Sequence, residues 1–182
     1  MKKTGLPTIK TKNLILRRIY SSDLALFEAL TDPEVSKYEC WSRHISIEET
    51  MAYINSVMDK LDAGTCTEWV IEHKEDGYPI GMVNLHDIYT QHRRAELGFW
   101  LNRRYWNKGY ATEAAAAVMK YAFEQLGIER LQSLCYPGNA ASVRVLEKLG
   151  MKPEAVHKRY MCLSCDPKNL SDVAVFVKFA AN

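Results

Sequence analysis

Residues 94 to 136 constrain the fold more than any other part of the chain. "RAELGFWLN" reads as a strand. "RRYWNKGY" is a short basic turn. "ATEAAAAVMKYAFEQ" then reads as a helix from about Ala111 to Gln125, stopped by Gly127. "RLQSLCY" is a second strand. A strand–helix–strand unit of this length predicts two parallel strands joined by a right-handed crossover. Ligands of such units bind beyond the carboxyl end of the first strand, where the helix begins.

The flanking segments supply the rest of a sheet. "NLILRRIY" alternates and reads as a strand, and "SSDLALFEAL" carries capping residues followed by helical spacing. "SIEETMAYINSVMDKLDAG" is a stronger helix, with Ser46 and Glu49 as a capping box and Gly64 as its stop. "TEWVIEHKEDGYPIGMVNLHDI" reads as a hairpin around Asp76-Gly77. "NAASVRVLEKLG" is a helix that begins at Asn139, and "VHKRYMCLS" and "DVAVFVKF" are two last strands. The expectation is one α/β domain over residues 1–182, with a mixed, mostly antiparallel sheet of about seven strands and about four helices. Residues 1 to 8 read as a frayed start.

Composition excludes several classes. A net charge of +2 over 182 residues is too mild to imply nucleic-acid binding. "MKKTGLPTIKTKN" has no apolar core of a secretory signal, and no apolar run is long enough to span a bilayer. A cytoplasmic protein with reduced cysteines is expected, with no membrane partner. Cys162 and Cys165 form a lone C-x-x-C without a second pair, and the five histidines show no ligand spacing, so no metal is expected.

The turn before the alanine-rich helix carries the chemistry. A helix start leaves backbone N–H groups without partners and adds partial positive charge. A phosphate satisfies both. Gly109 allows close approach, and Asn107 tolerates a left-handed conformation. Arg103, Arg104 and Lys108 add charge. The plain alternative is a glycine-containing turn with a solvated basic face. There is neither a P-loop nor a dinucleotide fingerprint.

"AELGFWLNRRYWNKGYATEA", followed by "NAASVRVLEKLGM", resembles the GNAT acetyltransferase superfamily, most of all the branch that acetylates N-termini of ribosomal proteins. The likeness covers nearly the whole chain. It implies a sheet splayed open at its fourth and fifth strands and acetyl-coenzyme A (acetyl-CoA) as cosubstrate. The family loop [QR]-x-x-G-x-[GA] is here Trp106-Asn107-Lys108-Gly109-Tyr110-Ala111, with Trp106 in place of Gln or Arg and Asn107 where many members have glycine. By this resemblance the N–H groups of Asn107 through Thr112 hold the pyrophosphate. The main chain of Phe99, Trp100 and Leu101 pairs with pantetheine amides, and Asn139 anchors the pantetheine arm. Asn139 as a simple helix cap stays open beside this.

The implied reaction is acyl transfer from a thioester to an amine, either a protein N-terminus or a small amine such as a polyamine or antibiotic, by a monomer or homodimer; a module that binds acyl-CoA without catalysis is the alternative. It needs a proton acceptor, donors for the carbonyl oxygen and help for the departing thiolate. Glu96 matches the base position of the histone-acetylating relatives; the alternative is an outward strand glutamate paired with Arg93 or Arg94. Many members place a tyrosine where this chain has Leu146, so Ser142, in the N-x-x-S of the ribosomal branch, is the candidate at the sulfur. The glutamate that branch carries on the following strand falls here on Met161. Tyr38, Trp41 and His44 lie where the family builds its acceptor pocket, although aromatic packing accounts for them as well.

Overall fold

The computed structural model describes residues 5–164 and 166–181. Eight strands form one sheet: β1 (Ile9–Lys10), β2 (Leu14–Arg17), β3 (Thr67–His73), β4 (Tyr78–Tyr89), β5 (Arg94–Leu101), β6 (Arg130–Cys135), β7 (Lys152–Leu163) and β8 (Asp166–Phe179). Their order is β1-β2-β3-β4-β5-β6-β8-β7. Every neighbouring pair is antiparallel except β5 and β6, which are parallel as the crossover requires.

The β5–β6 ladder is short. Arg94, Ala95 and Glu96 face Arg130, Leu131 and Gln132, and beyond them the strands part. The parting is stabilised from inside, since the Ser133 hydroxyl donates to the Leu97 carbonyl at 2.8 Å. That carbonyl would otherwise lose a partner in a buried place.

Two layers cover the sheet. The helices α4 (Tyr110–Leu126) and α5 (Ala140–Lys148) lie on one face, over Trp69, Ile71, Val83, Leu85 and Leu97. Ala114, Ala115, Val118 and Ala122 of α4 are buried, so the alanines let this helix sit close to the sheet. On the other face α3 (Ile47–Ala63) packs Ile54 and Val57 against Val70 and Met82. The burial of Trp69, Val70 and Ile71 in succession marks β3 as covered on both sides.

The structure departs from the sequence reading at the amino-terminal end. "SSDLALFEAL" is not one helix. It begins as a 3-10 turn at Asp23–Leu26 and continues as α1 (Phe27–Thr31). Neither serine caps it. Asp23 instead pairs with Arg17 at 2.8 Å and accepts the Tyr20 N–H. Asp32 then caps a further short helix, α2 (Pro33–Ser36), with Pro33 in its first turn. That raises the helices to five. Residues 5–8 are not frayed: Leu6 packs on the core and the Pro7 carbonyl accepts the Trp69 indole N–H at 2.7 Å. They lead into β1, the strand the sequence reading left out. Residues 1–4 and Cys165 of the C-x-x-C lie outside the described residues. Among the described residues no helix is long and apolar enough to cross a membrane.

Candidate active site

The parted ends of β5 and β6 open onto a cavity of about 520 Å³. Phe99, Trp100 and Leu101 form one wall, the loop and the first turn of α4 a second, and the start of α5 a third. Val35, Tyr38 and Glu39 close a further side.

The loop is shaped by its own backbone and held by side chains far away in sequence. Asn107 has φ 60° and Gly109 φ 87°, both left-handed. Gly109 is the N-cap of α4 and offers no side chain to the helix start. Among the described residues no backbone N–H from 107 through 112 meets a protein acceptor; the first helical bond is from Glu113 N–H to the Gly109 carbonyl. The Trp106 indole N–H donates to the Leu101 carbonyl at 2.8 Å, which fixes the loop to the end of β5. Tyr110 and Tyr105 tie it to the β3–β4 hairpin: the Tyr110 hydroxyl meets His73 at 2.9 Å, and Tyr105 donates to Asp76 at 2.9 Å. The Glu113 carboxylate accepts from Thr11, the Asn13 N–H and the Asn13 amide. Burial would raise Glu113, but these hydrogen bonds outweigh it and hold the carboxyl below its ordinary value. The result is a rigid row of donors at a helix start, suited to an anion.

The expected basic residues divide. Arg104 pairs with Glu28 at 2.7 Å, and Lys108 lies over the Tyr105 ring at 5.2 Å. The sequence reading did not name Arg144 and Lys148 of α5, which line the cavity.

Strand alternation refines the pantetheine wall. Residues 98, 100 and 102 turn their main-chain groups to β4, as the Asn102 N–H to Ile80 bond shows. Residues 97, 99 and 101 turn theirs to the gap, where Ser133 takes the Leu97 carbonyl and Trp106 takes that of Leu101. The N–H and C=O of Phe99 face the gap between them.

Asn139 is the N-cap of α5, its side-chain oxygen accepting the Ser142 N–H at 3.1 Å. Both residues line the cavity. Burial pushes the thiol of Cys135 up, and the nearby Ser142 hydroxyl partly offsets this. Leu146 is fully buried in the core and Tyr160 is exposed. Met161 sits on β7 opposite Ser171.

Glu96 stands apart from the cavity lining. It is 6 % exposed, and Gln132 donates to it at 2.9 Å. His86 Nε2 lies 3.6 Å away. Neither arginine named as its alternative partner reaches it: Arg93 pairs with Glu129, and Arg94 lies 4.1 Å from the centre of the Tyr89 ring. His86, Asp87 and Glu96 bring their side-chain donor atoms within 4.8 Å of one another, a grouping that sequence spacing did not reveal. His86 faces Asp87 with Nδ1 and Glu96 with Nε2, as a histidine bridging two carboxylates does.

The three aromatic candidates form a run that leaves the cavity. Tyr38 lines it and stacks on Tyr136 with centroids 5.3 Å apart. Trp41 packs on the cavity residue Trp100 at 6.0 Å, and His44 packs on Trp41 and Tyr53. Burial holds His44 below its ordinary value, and its Nδ1 meets Thr50 at 2.8 Å. Between Tyr38 and Trp41 lies Glu39, a cavity residue that sequence reasoning missed. Its signal was present: a carboxylate set among aromatics in "YECW".

The family profile described as acetyltransferase (GNAT) domain matches residues 13–152. YoaA of Bacillus subtilis, an uncharacterized N-acetyltransferase, is 32% identical over 156 residues, 85% of this chain and 88% of that protein. A GNAT-family acetyltransferase from Bacillus anthracis superposes with a TM-score of 0.82 at 28% identity, covering 95% of this chain and 98% of that one. The ribosomal L7/L12 alpha-N-protein acetyltransferase RimL, solved in complex with coenzyme A, shares the fold. Its TM-score is 0.82 at 21% identity, with 95% and 98% of the two chains covered.

Proposed function

Because the chain belongs to the GNAT acetyltransferase family and transfers acetyl groups to amines, we propose that the cavity between β5 and β6 is where acetyl-CoA and the amine meet. The observation that carries this is the row of unpartnered N–H groups from Asn107 through Thr112 at the cavity's edge. The pyrophosphate lies on that row, and Lys108, Arg144 and Lys148 supply charge around it. The pantetheine arm lies in the gap as a strand would, paired with the Phe99 main chain and met by the free amide nitrogen of Asn139.

With the cosubstrate so placed, its thioester lies where β5 and β6 begin to part. The amine attacks the carbonyl carbon as the neutral base, and the carbonyl oxygen takes up negative charge. The carbon–sulfur bond breaks, and the Ser142 hydroxyl donates to the departing thiolate. The attacking nitrogen sheds a proton to a carboxylate. Glu96, buried at the point of parting between Gln132 and His86, is one candidate; a water would have to join it to the cavity. The acceptor is a protein N-terminus or a small amine, entering along Tyr38, Trp41 and His44. The test is calorimetric titration with acetyl-CoA, followed by free-thiol release across N-terminal peptides, polyamines and aminoglycosides. A chain that binds acetyl-CoA no better than adenosine would overturn the placement.

A further inference from the structure

Two carboxylates line the cavity, Glu34 and Glu39. Glu34 is exposed and lies 3.5 Å from Lys37. Glu39 is different. Its N–H donates to the Ser36 carbonyl at 2.9 Å, and its own carbonyl accepts the Ser164 N–H at 2.8 Å. The β7–β8 hairpin therefore holds this loop residue in place. Tyr38, stacked on Tyr136, and Trp41, packed on Trp100, flank it. Glu39 is part-buried, the neighbouring Lys37 pairs with Glu34 instead, and among the described residues Glu39 enters no ion pair. Near it stand the Cys135 thiol, which feels the Glu39 charge, and the Ser142 hydroxyl beside that thiol.

We propose, on the acetyltransferase reading of this cavity, that Glu39 is the residue that takes the proton from the attacking amine. As the N–C bond forms, the nitrogen becomes cationic and its proton passes to the Glu39 carboxylate. The C–S bond breaks and the sulfur leaves with the electron pair, met by Ser142. The same proton then passes from Glu39 to the thiolate, which leaves as free thiol, and the carboxylate is restored. No other reactant is consumed.

The surroundings fit this role. Burial pushes the Glu39 carboxyl up to about 7, and the Trp41 indole N–H nearby offsets a part of that. An α-amino group titrates near 8 and a thiol near 8.5. A carboxyl at about 7 is half ionised in neutral solution and can both accept the proton and return it. The titratable and charged groups around it are Glu34, Lys37 and Tyr38 of its own segment, Cys135 and Tyr136 at the end of β6, and Arg144 and Lys148 of α5. Tyr105 and Lys108 face the same cavity from the loop side.

The test has two arms on the intact chain. In the first, carbon-13 NMR of labelled glutamate carboxyls follows a pH titration. One resonance should move near pH 7 and be absent in Glu39→Gln; a Glu39 carboxyl that titrates at about 4.3 overturns the proposal. In the second, free-thiol release from acetyl-CoA is measured with spermidine and with a peptide bearing a free N-terminal serine. Glu39→Gln should lower kcat by roughly a hundred- to ten-thousand-fold and erase the acid inflection, leaving Kd for acetyl-CoA unchanged. A folded variant that keeps kcat within about threefold, or keeps the inflection, overturns it. Should Glu39→Gln fail to fold, Trp41→Phe must move the inflection to higher pH, because the indole N–H that lowers the Glu39 carboxyl is gone; an unmoved inflection overturns it. A wild type that acetylates neither probe would speak against these acceptors, and the NMR arm would still decide for Glu39.

Discussion

The two walls of the cavity are made of different material. On the proposed placement of acetyl-CoA, the cofactor wall is main chain: the Phe99 amide and carbonyl, the donors of the loop and the start of α4. On the same placement the acceptor wall is side chain: Tyr38, Glu39 and Trp100 at the cavity, with Trp41 and His44 packed behind them. Main-chain donors present the same groups whatever residue carries them, so they suit a ligand that never changes. Side chains can be exchanged one at a time, so they suit a ligand that differs between relatives. Substitutions should therefore act differently on the two walls. On the first, backbone conformation is what matters; on the second, chemical identity.

Gly109→Val is the largest expected breach of the cofactor wall. No atom lies within 4 Å of a Cβ built on Gly109, so the new side chain meets no protein. It stands instead in open space at the loop, and its left-handed φ of 87° is strained for valine. Kd for acetyl-CoA should rise on the order of a hundredfold or more, about 2.7 kcal/mol, in a protein whose circular dichroism is unchanged. Unaltered affinity would dissolve the distinction between the walls.

On the acceptor wall the cost of function should be visible as stability. Glu39 has a raised carboxyl in the folded chain, at about 7, against about 4.3 when unfolded. Below both values the residue is protonated in either state and has no effect. Between them the unfolded chain has given up the proton and the folded chain has not, so folding becomes less favourable as pH rises. Above about 7 the full penalty is present. Glu39→Gln removes it. At pH 8 the variant should be more stable by about 1 to 3 kcal/mol, or roughly 3 to 10 °C in Tm, and at pH 4 no different. A Tm difference independent of pH would place the carboxyl in ordinary solvent.

The same contrast explains what the sequence made legible. Gly109, Asn107 and the alanines of α4 are local signals, because left-handed backbone and close helix packing leave a trace in a few adjacent residues. Asn139 and Gly64 are legible for the same reason, as caps. Glu39 is not. Its surroundings come from Ser164, Tyr136 and Cys135, which the fold alone brings near it. Glu96 was readable as a strand residue, but its partners Gln132 and His86 depend on the register of β4, β5 and β6. The amino-terminal helix was misread because Asp23 serves the Arg17 ion pair rather than a helix start. The Asp32-Pro33 break was there to be read.

Ser142 lies on the border between the walls. Its N–H is held by Asn139 and its hydroxyl is near Cys135, so the fold places it without using its oxygen for a cap. Ser142→Ala should lower kcat and kcat/KM together, by roughly five- to a hundredfold, the result of losing one hydrogen bond made only in the transition state. A rise in KM alone would move the serine to the cofactor wall.

The smallest effect is expected at Glu96, and there the comparison is most exposed. Glu96→Gln keeps the size of the side chain and can still accept from Gln132, but it loses the charge facing His86. If the proton passes to Glu39, the loss of that charge reaches the reaction only through the packing at the point where β5 and β6 part. Then kcat should fall by less than about tenfold, and the acid inflection should stay where the wild type has it. If instead kcat drops a hundredfold or more and the inflection vanishes, Glu96 takes the proton, a water joins it to the cavity, and the acceptor wall reaches through the sheet rather than ending at its surface.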